Sequence, residues 1–398
     1  MSERRLRIAM VALDFHRQGG SEGRTAHLVD RLVVDGHEVH LVGARIGGRW
    51  DPRIVRRPVR TPEHPHWLEV ALFSRRAEGL LRAERYDVVH NQIRPFVPGV
   101  VTVGGGSHRF YLDEILPREQ GRILAGVKRS MPLHRVLLAL ERRGFRPDRC
   151  PYIIANSELN RQGILRYYPL APDRIVVAYN GVDAERFSPG VRARRREAMR
   201  HTLGLGPEHL AVLFVGQGFA RKGLGPLLEA LAALRDPRWR LIVVGRGKSG
   251  AWSARARGLG LAGRVGFVGH VGDTEAYYAA ADVFALPTFF DPFANATLEA
   301  MAAGLPVITS RQNGAAEILR PGVDGLVVDR PDDVDGLAAA LGSLADPDRR
   351  AALGGPARET ALRYPWDGPL ERTLAVYRAV TRAEGAPQGS RGAKGQGS

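Results

Sequence analysis

The feature that most constrains the fold is an alternation of short apolar runs with longer segments of helical periodicity, repeated along almost all 398 residues. The apolar runs are rich in Val, Ile and Leu and end in glycine, proline or polar residues, which is typical of buried strands. The predicted strands cover residues 6–13, 38–42, 54–59, 86–90, 99–103, 152–155, 174–178, 210–215, 240–245, 264–269, 283–287 and 307–309. Strands that alternate with helices predict an α/β fold with parallel, doubly wound sheets.

The length of the chain and the restart of this pattern predict two domains. A chain of 398 residues exceeds the size of one ordinary hydrophobic core. After a polar segment at 180–190, the alternation of strand and helix begins again near residue 210. Residues 385–398 are glycine-rich, polar and free of aromatic side chains, which predicts a disordered tail.

Composition limits the partners that the protein can have. The net charge of +16 predicts anionic partners, which include nucleic acid, phospholipid and phosphorylated substrates, and charge alone does not choose among them. Aromatic residues make up only 7% of the chain and provide no evident stacking platform, so nucleic-acid binding is disfavoured. The single cysteine, Cys150, excludes an internal disulfide and a cysteine-rich zinc site. No apolar run reaches the roughly 18 residues of a membrane span, and the N-terminus lacks a signal-peptide core, so we expect a cytoplasmic protein.

Two carboxylates flank a helix start in the segment 291–306. The strand 283–287 precedes a loop that contains Asp291, and a helix follows at 296–303 with Asn295 as its predicted N-cap. Glu299 lies about one turn inside that helix. The corner thus combines two acids with a helix N-terminus, which favours anions. The alternative interpretation is an ordinary capped helix whose acids are solvated.

Two adjacent cations follow the first strand of the second domain. Arg221 and Lys222 stand at the start of a predicted helix, after a glycine-rich loop that begins at Gly216. The positive end of a helix dipole disfavours cations there unless an anion is bound. A diphosphate would gain bidentate contacts from Arg221, a point charge from Lys222 and backbone donors from the glycines. This loop is therefore a predicted diphosphate site.

Glycines mark two further loops in the first domain. Gly19 and Gly20 precede the first helix, and three glycines at 104–106 follow the strand 99–103, just before His108. Glycines at the carboxyl end of a strand let the backbone approach a ligand closely. Tight turns are the alternative explanation for the glycines, and a core or surface position is the alternative for His108.

The segment 117–149 is basic and amphipathic. Nine basic side chains meet three acids, and apolar residues recur between them at roughly helical spacing. The basic residues are Arg118, Arg122, Lys128, Arg129, Arg135, Arg142, Arg143, Arg146 and Arg149. Such a pattern predicts contact with an anionic membrane surface. A helix that packs on the core with a solvated cationic face is the alternative.

The motif from Asp291 to Glu299, with seven residues between the acids and Gly-Leu-Pro-Val after it, resembles the signature of retaining glycosyltransferases of family 4. The loop 219–223, Phe-Ala-Arg-Lys-Gly, is similar to the pyrophosphate loop of the lipopolysaccharide-core glucosyltransferase branch of that family. The resemblance implies the GT-B fold, in which two Rossmann-like domains face each other across a cleft, and a C-terminal helix at 369–382 that crosses back onto the first domain. Residues 180–189 resemble the interdomain linker of the same family, which implies a first domain at residues 1–182 and a second at 183–368. One residue departs from the pattern, because this chain has Asp291 where the family usually has Glu.

The resemblance also implies roles for individual residues. The first acid would contact the hydroxyls of the donor sugar and the second the ribose, whereas His108 would lie near the sugar and His270 beside the base. The expected catalytic residues are Asp291, His108, Arg221 and Lys222. The expected donor-binding residues are Gly19, Gly20, Gly216, Arg221, Lys222, His270, Asp291, Phe293, Ala294, Asn295 and Glu299.

The function implied is metal-independent, retaining transfer of a hexose from a nucleotide-diphosphate sugar, with UDP as the expected nucleotide. A lipid-linked or saccharide acceptor in cell-envelope glycan synthesis fits the basic segment, as does attachment to the inner face of the membrane. No cofactor and no metal are expected, because the aspartate pairs 333/335 and 346/348 stand where helix caps belong. Another GT-B enzyme, such as a sugar-nucleotide epimerase, and a basic nucleic-acid-binding protein are the alternatives.

Overall fold

A computed structural model of the protein describes residues 4–17 and 20–385. Gly19 and all of the predicted tail beyond residue 385 lie outside the described residues. The strands are β1 (Arg7–Val11), β2 (Asp14–Phe15), β3 (Glu38–Gly43), β4 (Arg45–Ile46), β5 (Val55–Pro58), β6 (Val88–Gln92), β7 (Val100–Val103), β8 (Ile153–Ala155), β9 (Ile175–Val177), β10 (Leu210–Val215), β11 (Trp239–Val244), β12 (Val265–Gly269), β13 (Val283–Leu286), β14 (Val307–Ser310) and β15 (Leu326–Val328).

Fifteen α-helices, one π-helix and two 3-10 helices join the described strands. The α-helices are α1 (Gly20–Val34), α2 (His66–Arg82), α3 (His108–Phe110), α4 (Leu116–Gln120), α5 (Arg122–Ser130), α6 (Pro132–Gly144), α7 (Glu158–Leu165), α8 (Pro189–Thr202), α9 (Leu224–Ala233), α10 (Ser249–Gly258), α11 (Glu275–Ala280), α12 (Asn295–Ala302), α13 (Val334–Ser343), α14 (Pro347–Ala361) and α15 (Asp367–Gly385). The π-helix is Tyr111–Ile115, and the 3-10 helices are Pro172–Arg174 and Gly314–Ile318.

The strands form two large parallel sheets. The first sheet has the order β5-β3-β1-β6-β7-β8-β9, and the second has the order β12-β11-β10-β13-β14-β15. Strands β2 and β4 make a separate short pair. Helices cover both sheets, so that the central strands β1 and β10 are buried almost throughout. The predicted α/β class with two Rossmann-like units is confirmed.

The strand order of each sheet reverses at one point. From β1 the chain proceeds to β3 and β5 on one side and to β6, β7, β8 and β9 on the other, so the first reversal lies between β1 and β6. The second reversal lies between β10 and β13 for the same reason. Open parallel sheets bind ligands outside the carboxyl ends of their strands at such points, because the loops there diverge and leave a crevice.

Strand β6 differs from its predicted position, which was residues 86–90. Asp87 ends the preceding turn, because its carboxylate accepts the N–H of Arg7 at 2.8 Å. The strand then continues through His90 and Gln92, which are polar but buried. Internal hydrogen bonds allow this, since the His90 ring lies 2.6 Å from the hydroxyl of Tyr377 and 2.7 Å from that of Thr102.

Helix α15 packs on the first sheet although it follows the second in sequence. Leu370, Leu374, Val376 and Tyr377 belong to the same buried cluster as residues of β1 and α1. The structure therefore shows the crossing that was expected for residues 369–382. The division of the chain at residue 182 stays a prediction.

The basic segment consists of three helices with different environments. Helix α6 buries Leu137 and Leu140 against the first domain, as the alternative interpretation of this segment required. Helix α5 instead exposes apolar side chains, with Ile123 87% and Val127 59% exposed. Among the described residues, no helix combines the length and the apolar character that crossing a bilayer requires.

Candidate active site

The two points of sheet reversal open into one cavity of about 550 Å³. Loops that follow β6 and β7 form one wall, and loops that follow β10 and β13 form the other. The residues that line it are Arg24, Ile93, Arg94, Gly104, Gly105, Gly106, Ser107, His108, Tyr111, Asn156, Asn180, Arg221, Lys222, Phe290, Asp291, Pro292, Phe293, Ala294 and Asn295. A cavity of this size suits a small-molecule ligand, and the many polar side chains of its lining suit a polar one.

Gly223 brings the loops after β10 and β13 into contact. It has a φ of 81°, and a Cβ added to it would lie 1.8 Å from the carbonyl oxygen of Pro287. Only glycine fits such a position, because a side chain would meet both backbone strain and a steric clash. As a result, Arg221 and Lys222 lie directly against the loop that carries Asp291. The Nη1 of Arg221 donates to the carbonyl of Phe290 at 2.6 Å.

Asp291 is the partner of the two predicted diphosphate cations. Its carboxylate forms a buried ion pair with Lys222 Nζ, and its Oδ2 lies 3.6 Å from Nη1 of Arg221. The same carboxylate accepts the N–H of Phe293 at 3.1 Å. Burial lowers the pKa of Lys222, whereas Asp291 acts to raise it. Burial also acts to raise the pKa of Asp291, but the charges of Lys222 and Arg221 outweigh it and hold that pKa below its usual value.

The start of α12 is organised by Asn313 and not by Asn295. Asn295 is the first helical residue, and the structure shows no side-chain cap at this helix, so its predicted role as N-cap is wrong. The Oδ1 of Asn313 instead accepts the N–H groups of Ala294 and Ala315, both at 3.1 Å. Asn313 thus already accepts the backbone N–H groups of this turn. The Asn295 side chain instead extends toward the first domain, where its Oδ1 accepts from Nδ2 of Asn180 at 2.7 Å.

A hydrogen-bonded relay crosses between the domains beside the cavity. Arg24 on α1 donates through Nη1 to Oδ1 of Asn180 at 3.3 Å, and Asn180 in turn donates to Asn295. These three residues come from a helix, a loop and a second helix that are far apart in sequence. The relay fixes the amide of Asn295 on the cavity wall.

The loop after β6 supplies an arginine to the opposite wall. Ile93 has a φ of 71°, a conformation that β-branched residues rarely adopt and that costs on the order of 1–3 kcal/mol. The next residue, Arg94, is half-buried and lines the cavity. Burial lowers the pKa of Arg94, and the nearby carboxylate of Glu141 opposes that shift. The guanidinium makes no hydrogen bond or ion pair with any residue that the structure describes.

His108 lies on the same wall and is neutral. Burial, assisted by the charge of Arg94, lowers the pKa of His108 to about 3. Its Nε2 lies 3.0 Å from Nδ1 of His134, and its backbone N–H is bound by the carboxylate of Glu141. The ring therefore reaches the cavity as an uncharged imidazole.

The remaining predicted site residues divide into two groups. Phe293 and Ala294 are buried and line the cavity, while Gly216 packs against the aliphatic part of Lys222 just behind the wall. Glu299 and His270 do not line this cavity. Gly20 is the first residue of α1, and its expected contact with the donor stays a prediction.

Glu299 has a different environment from Asp291, although both acids belong to one motif. Its Oε2 accepts from the hydroxyl of Tyr278 at 2.8 Å. Burial raises its pKa, which the Tyr278 hydrogen bond and the charge of Arg186 oppose. His270 is exposed directly after β12. The roles expected for these two residues at the ribose and the base stay predictions.

Several cavity residues were not among the site residues predicted from the sequence, and they include Arg24, Arg94 and Asn180. Each is a single polar residue without a motif around it. Arg94 follows a predicted strand that lies beside β1 in the sheet. Because open parallel sheets bind ligands where the strand order reverses, knowledge of that order would have predicted Arg94 as a ligand-binding residue.

The predicted helix caps among the aspartates are confirmed. Asp333 accepts the N–H of Gly336 at 2.9 Å, and Asp346 accepts that of Asp348 at 3.0 Å. Within the described ranges 4–17 and 20–385, no group of three or more His, Cys, Asp and Glu side chains is arranged to hold a metal ion.

Two family models match the chain, one on each domain. The model described as glycosyltransferase family 4 matches residues 18–186, and the model described as glycosyl transferases group 1 matches residues 209–346. Among curated proteins, D-inositol 3-phosphate glycosyltransferase from Rhodococcus opacus (strain B4) is 36% identical over 242 residues, which is 58% of this chain and 53% of that protein. The match thus spans about half the length of this relative.

Solved structures share the fold over nearly the whole chain. WaaG, a glycosyltransferase involved in lipopolysaccharide biosynthesis, superposes with a TM-score of 0.80 at 23% identity, covering 93% of this chain and 99% of WaaG. Anabaena HepE in complex with UDP and glucose gives a TM-score of 0.71 at 20% identity, covering 94% and 100%. These likenesses establish the GT-B fold, and the two family models, which between them match most of both domains, show that the chain belongs to the group 1 and family 4 glycosyltransferases.

Proposed function

We propose that the protein transfers a hexosyl group from a nucleotide-diphosphate sugar, with UDP as the nucleotide, to a hydroxyl of a saccharide or lipid-linked acceptor. The observation that carries the proposal is the contact of Arg221 and Lys222 with Asp291 on one wall of the interdomain cavity. Membership in the family, and a fold neighbour whose structure holds UDP and glucose, support the donor class.

The cations of the second domain account for leaving-group stabilisation. Transfer breaks the bond between the anomeric carbon and the β-phosphate oxygen, and the acceptor hydroxyl oxygen forms the new bond. Negative charge accumulates on the departing diphosphate, where Arg221 and Lys222 stabilise it. The proton of the acceptor hydroxyl passes to the departing diphosphate, so that no separate base is required.

The anomeric configuration is retained in this proposal, with the acceptor attacking on the face that the diphosphate leaves. Asp291 is the only carboxylate among the described residues that line the cavity, and Lys222 already engages it. This pairing supports a mechanism without a carboxylate nucleophile. Asp291 would bind a sugar hydroxyl with the carboxylate oxygen that is not held by Lys222.

The direct test is calorimetric titration of uridine diphosphate with and without a chelator. We expect binding without a divalent metal, because two side-chain cations already provide positive charge. Arg221→Ala should weaken binding by roughly 1.5–3 kcal/mol, the usual contribution of a hydrogen bond to a charged group. Arg257 on α10 is exposed and does not line the cavity, so Arg257→Ala is the matched control. A strict requirement for magnesium, or equal losses in both variants, would contradict the proposal.

We also propose that α5 rests on an anionic membrane surface, which would give access to a lipid-linked acceptor of the cell envelope. Ile123, Leu124, Val127 and Met131 are 87, 44, 59 and 49% exposed within nine residues of chain. Arg122 lies exposed on the same helix, as does Arg129, whose guanidinium also pairs with Asp113 at 2.6 Å. Exposed apolar side chains flanked by basic ones match the interface of a membrane with negative headgroups.

A further inference from the structure

The first-domain wall of the cavity carries positive charge that a nucleotide-diphosphate sugar does not explain. Four cationic side chains and one carboxylate line the cavity among the described residues. Arg221 and Lys222 lie on the second-domain wall and already share Asp291. Arg24 and Arg94 lie on the first-domain wall, where the described residues that line the cavity include no acid.

Arg94 is the better indicator of a ligand, because its surroundings leave its charge uncompensated. Within the described part of the chain, its guanidinium has neither a hydrogen-bond acceptor nor an ion-pair partner. Glu141 is the one acid that acts on it through space, but that carboxylate is occupied by the backbone N–H groups of His108 and Arg109 and by the hydroxyls of Tyr168 and Ser107. A half-buried arginine without a partner is costly unless a ligand supplies the negative charge.

The place of Arg94 in the fold points to the same conclusion. It stands two residues after the end of β6, at the reversal of the first sheet, which is where a parallel sheet binds its ligands. The cations of the second domain stand at the corresponding reversal of the other sheet. The cavity thus joins two ligand positions, each with its own positive charge.

We propose that Arg94 binds an anionic group of the acceptor, a phosphate monoester or a carboxylate, so that the protein glycosylates a charged acceptor in preference to a neutral one. This inference rests on the proposed function, since it assigns the donor diphosphate to the opposite wall. Arg94 then recognises the acceptor bidentately and orients its reacting hydroxyl toward the anomeric carbon. Arg94 is a specificity-determining residue in this scheme.

The test fills the donor position first and then compares charged with neutral probes. Glucose 6-phosphate, glucuronate and glucose are each titrated into protein saturated with uridine diphosphate. We expect the wild type to bind at least one charged probe ten-fold or more tightly than glucose. Comparing glucose 6-phosphate with glucuronate shows whether the site prefers a phosphate monoester or a carboxylate.

Variants of Arg94 show whether this preference comes from the proposed residue. Arg94→Gln should abolish the charge preference and leave uridine diphosphate affinity within about two-fold, whereas Arg94→Lys should retain part of the preference. Arg142 is an exposed arginine of the same domain that does not line the cavity, so Arg142→Gln is the control and should behave as the wild type.

The remaining outcomes distinguish a failure of the anionic-acceptor inference from a failure of the proposed function. Equal binding of all three probes by the wild type, or an unchanged preference in Arg94→Gln, would overturn the anionic-acceptor inference. A loss of uridine diphosphate affinity in Arg94→Gln would also overturn it, because Arg94 would then belong to the donor position. Failure of the wild type to bind uridine diphosphate at all would instead contradict the proposed function.

Discussion

Asp291 and Lys222 form a buried pair, and under the proposed function this pairing links the position of the donor sugar to that of the diphosphate. Both side chains are about one-tenth exposed, so neither charge is well solvated. Asp is one methylene shorter than the Glu that the family usually has, and here it reaches the Lys222 ammonium. A substitution of Asp291 should therefore alter diphosphate binding as well as any contact with the sugar.

We expect Asp291→Asn to destabilise the free protein and to increase the stabilisation that uridine diphosphate provides. Removing one member of a buried ion pair typically lowers the free energy of unfolding by about 3–5 kcal/mol, because the other charge is left unpaired. A bound diphosphate would replace the missing negative charge. Thermal unfolding of wild type and variant, each with and without uridine diphosphate, measures both effects.

The double variant Asp291→Asn with Lys222→Met provides the control for that prediction. It removes both charges, so part of the lost stability should return while the added effect of uridine diphosphate disappears. An equal gain from uridine diphosphate in the wild type and in Asp291→Asn would show that the pair does not communicate with the diphosphate position.

Sequence reasoning about single residues found cavity residues that have a local chemical signal and missed those that depend only on the fold. Arg221 and Lys222 were identified because two adjacent cations at a helix start are unfavourable on their own. Arg94 carries no such local signal, since a single arginine after a strand is common. Asn313, whose Oδ1 accepts the N–H of Ala294 just before α12, was missed because it is 18 residues away from Asn295, and local capping rules compare only near neighbours.

At the scale of single elements, α5 and α6 show why one pattern can have two explanations. Both helices are amphipathic and basic, but α6 packs its apolar face on the first domain, whereas α5 exposes its own. The periodicity of a sequence gives the width of an apolar face and not the partner of that face. Arg143 also pairs with Glu78 at 2.7 Å, so its charge supports the fold and is a poor probe of membrane contact.

Replacing both Ile123 and Val127 with Glu should abolish binding to anionic vesicles. The change removes two exposed apolar side chains and adds negative charge to the same face. Vesicle sedimentation at low and moderate salt measures the effect, with neutral lipid as the comparison. Val34 is 70% exposed at the end of α1, so Val34→Glu is the matched control. Equal pelleting of the wild type on neutral and anionic vesicles would argue against the proposed surface.

His90 on β6 makes the attachment of α15 sensitive to acid. Burial lowers its pKa to about 3, below the ordinary value of 6.5. The ring bridges Tyr377 on α15 and Thr102 on β7 in its neutral form. Between pH 6.5 and 3 the unfolded chain binds a proton that the folded state does not. Stability from this residue is therefore complete above pH 6.5 and falls as the pH decreases, by about 2 kcal/mol at pH 5.

Between pH 4 and 6.5, the free energy of unfolding should depend less steeply on pH in His90→Gln than in the wild type. The difference in slope should correspond to about one bound proton. Burial likewise lowers the pKa of His108 to about 3, so some acid sensitivity should remain in the variant. Denaturant unfolding at a series of pH values measures the slope. His201 is exposed on α8, and His201→Gln should leave the slope unchanged. A slope in His90→Gln identical to that of the wild type would contradict the assignment.

At the scale of the whole molecule, sequence reasoning gave the two-sheet architecture because buried parallel strands leave a strong apolar signal. It could not give the way in which the two domains meet, because those contacts join single residues that are far apart in sequence. One of them joins Glu317 of the second domain to the N-terminus of α7 in the first. Its carboxylate accepts the N–H of Glu158 at 2.8 Å and that of Leu159 at 2.6 Å. The aromatic contact of Phe110 with Phe290, at 5.1 Å between ring centroids, lies across the same boundary.

Glu317→Ala should shift the protein toward a more open arrangement of its domains. The variant loses two charge-assisted hydrogen bonds at a helix N-terminus, which together are worth roughly 0.5–2 kcal/mol. Because these bonds join the domains without touching the cavity, opening should become easier while the binding groups stay intact. We expect a larger radius of gyration by small-angle X-ray scattering for the free variant, and a return toward the wild-type value when uridine diphosphate binds. Glu359 on α14 is exposed and belongs to the same domain, so Glu359→Ala should scatter as the wild type does. If Glu317→Ala and the wild type have the same radius of gyration both free and bound, the contact does not control closure of the cleft.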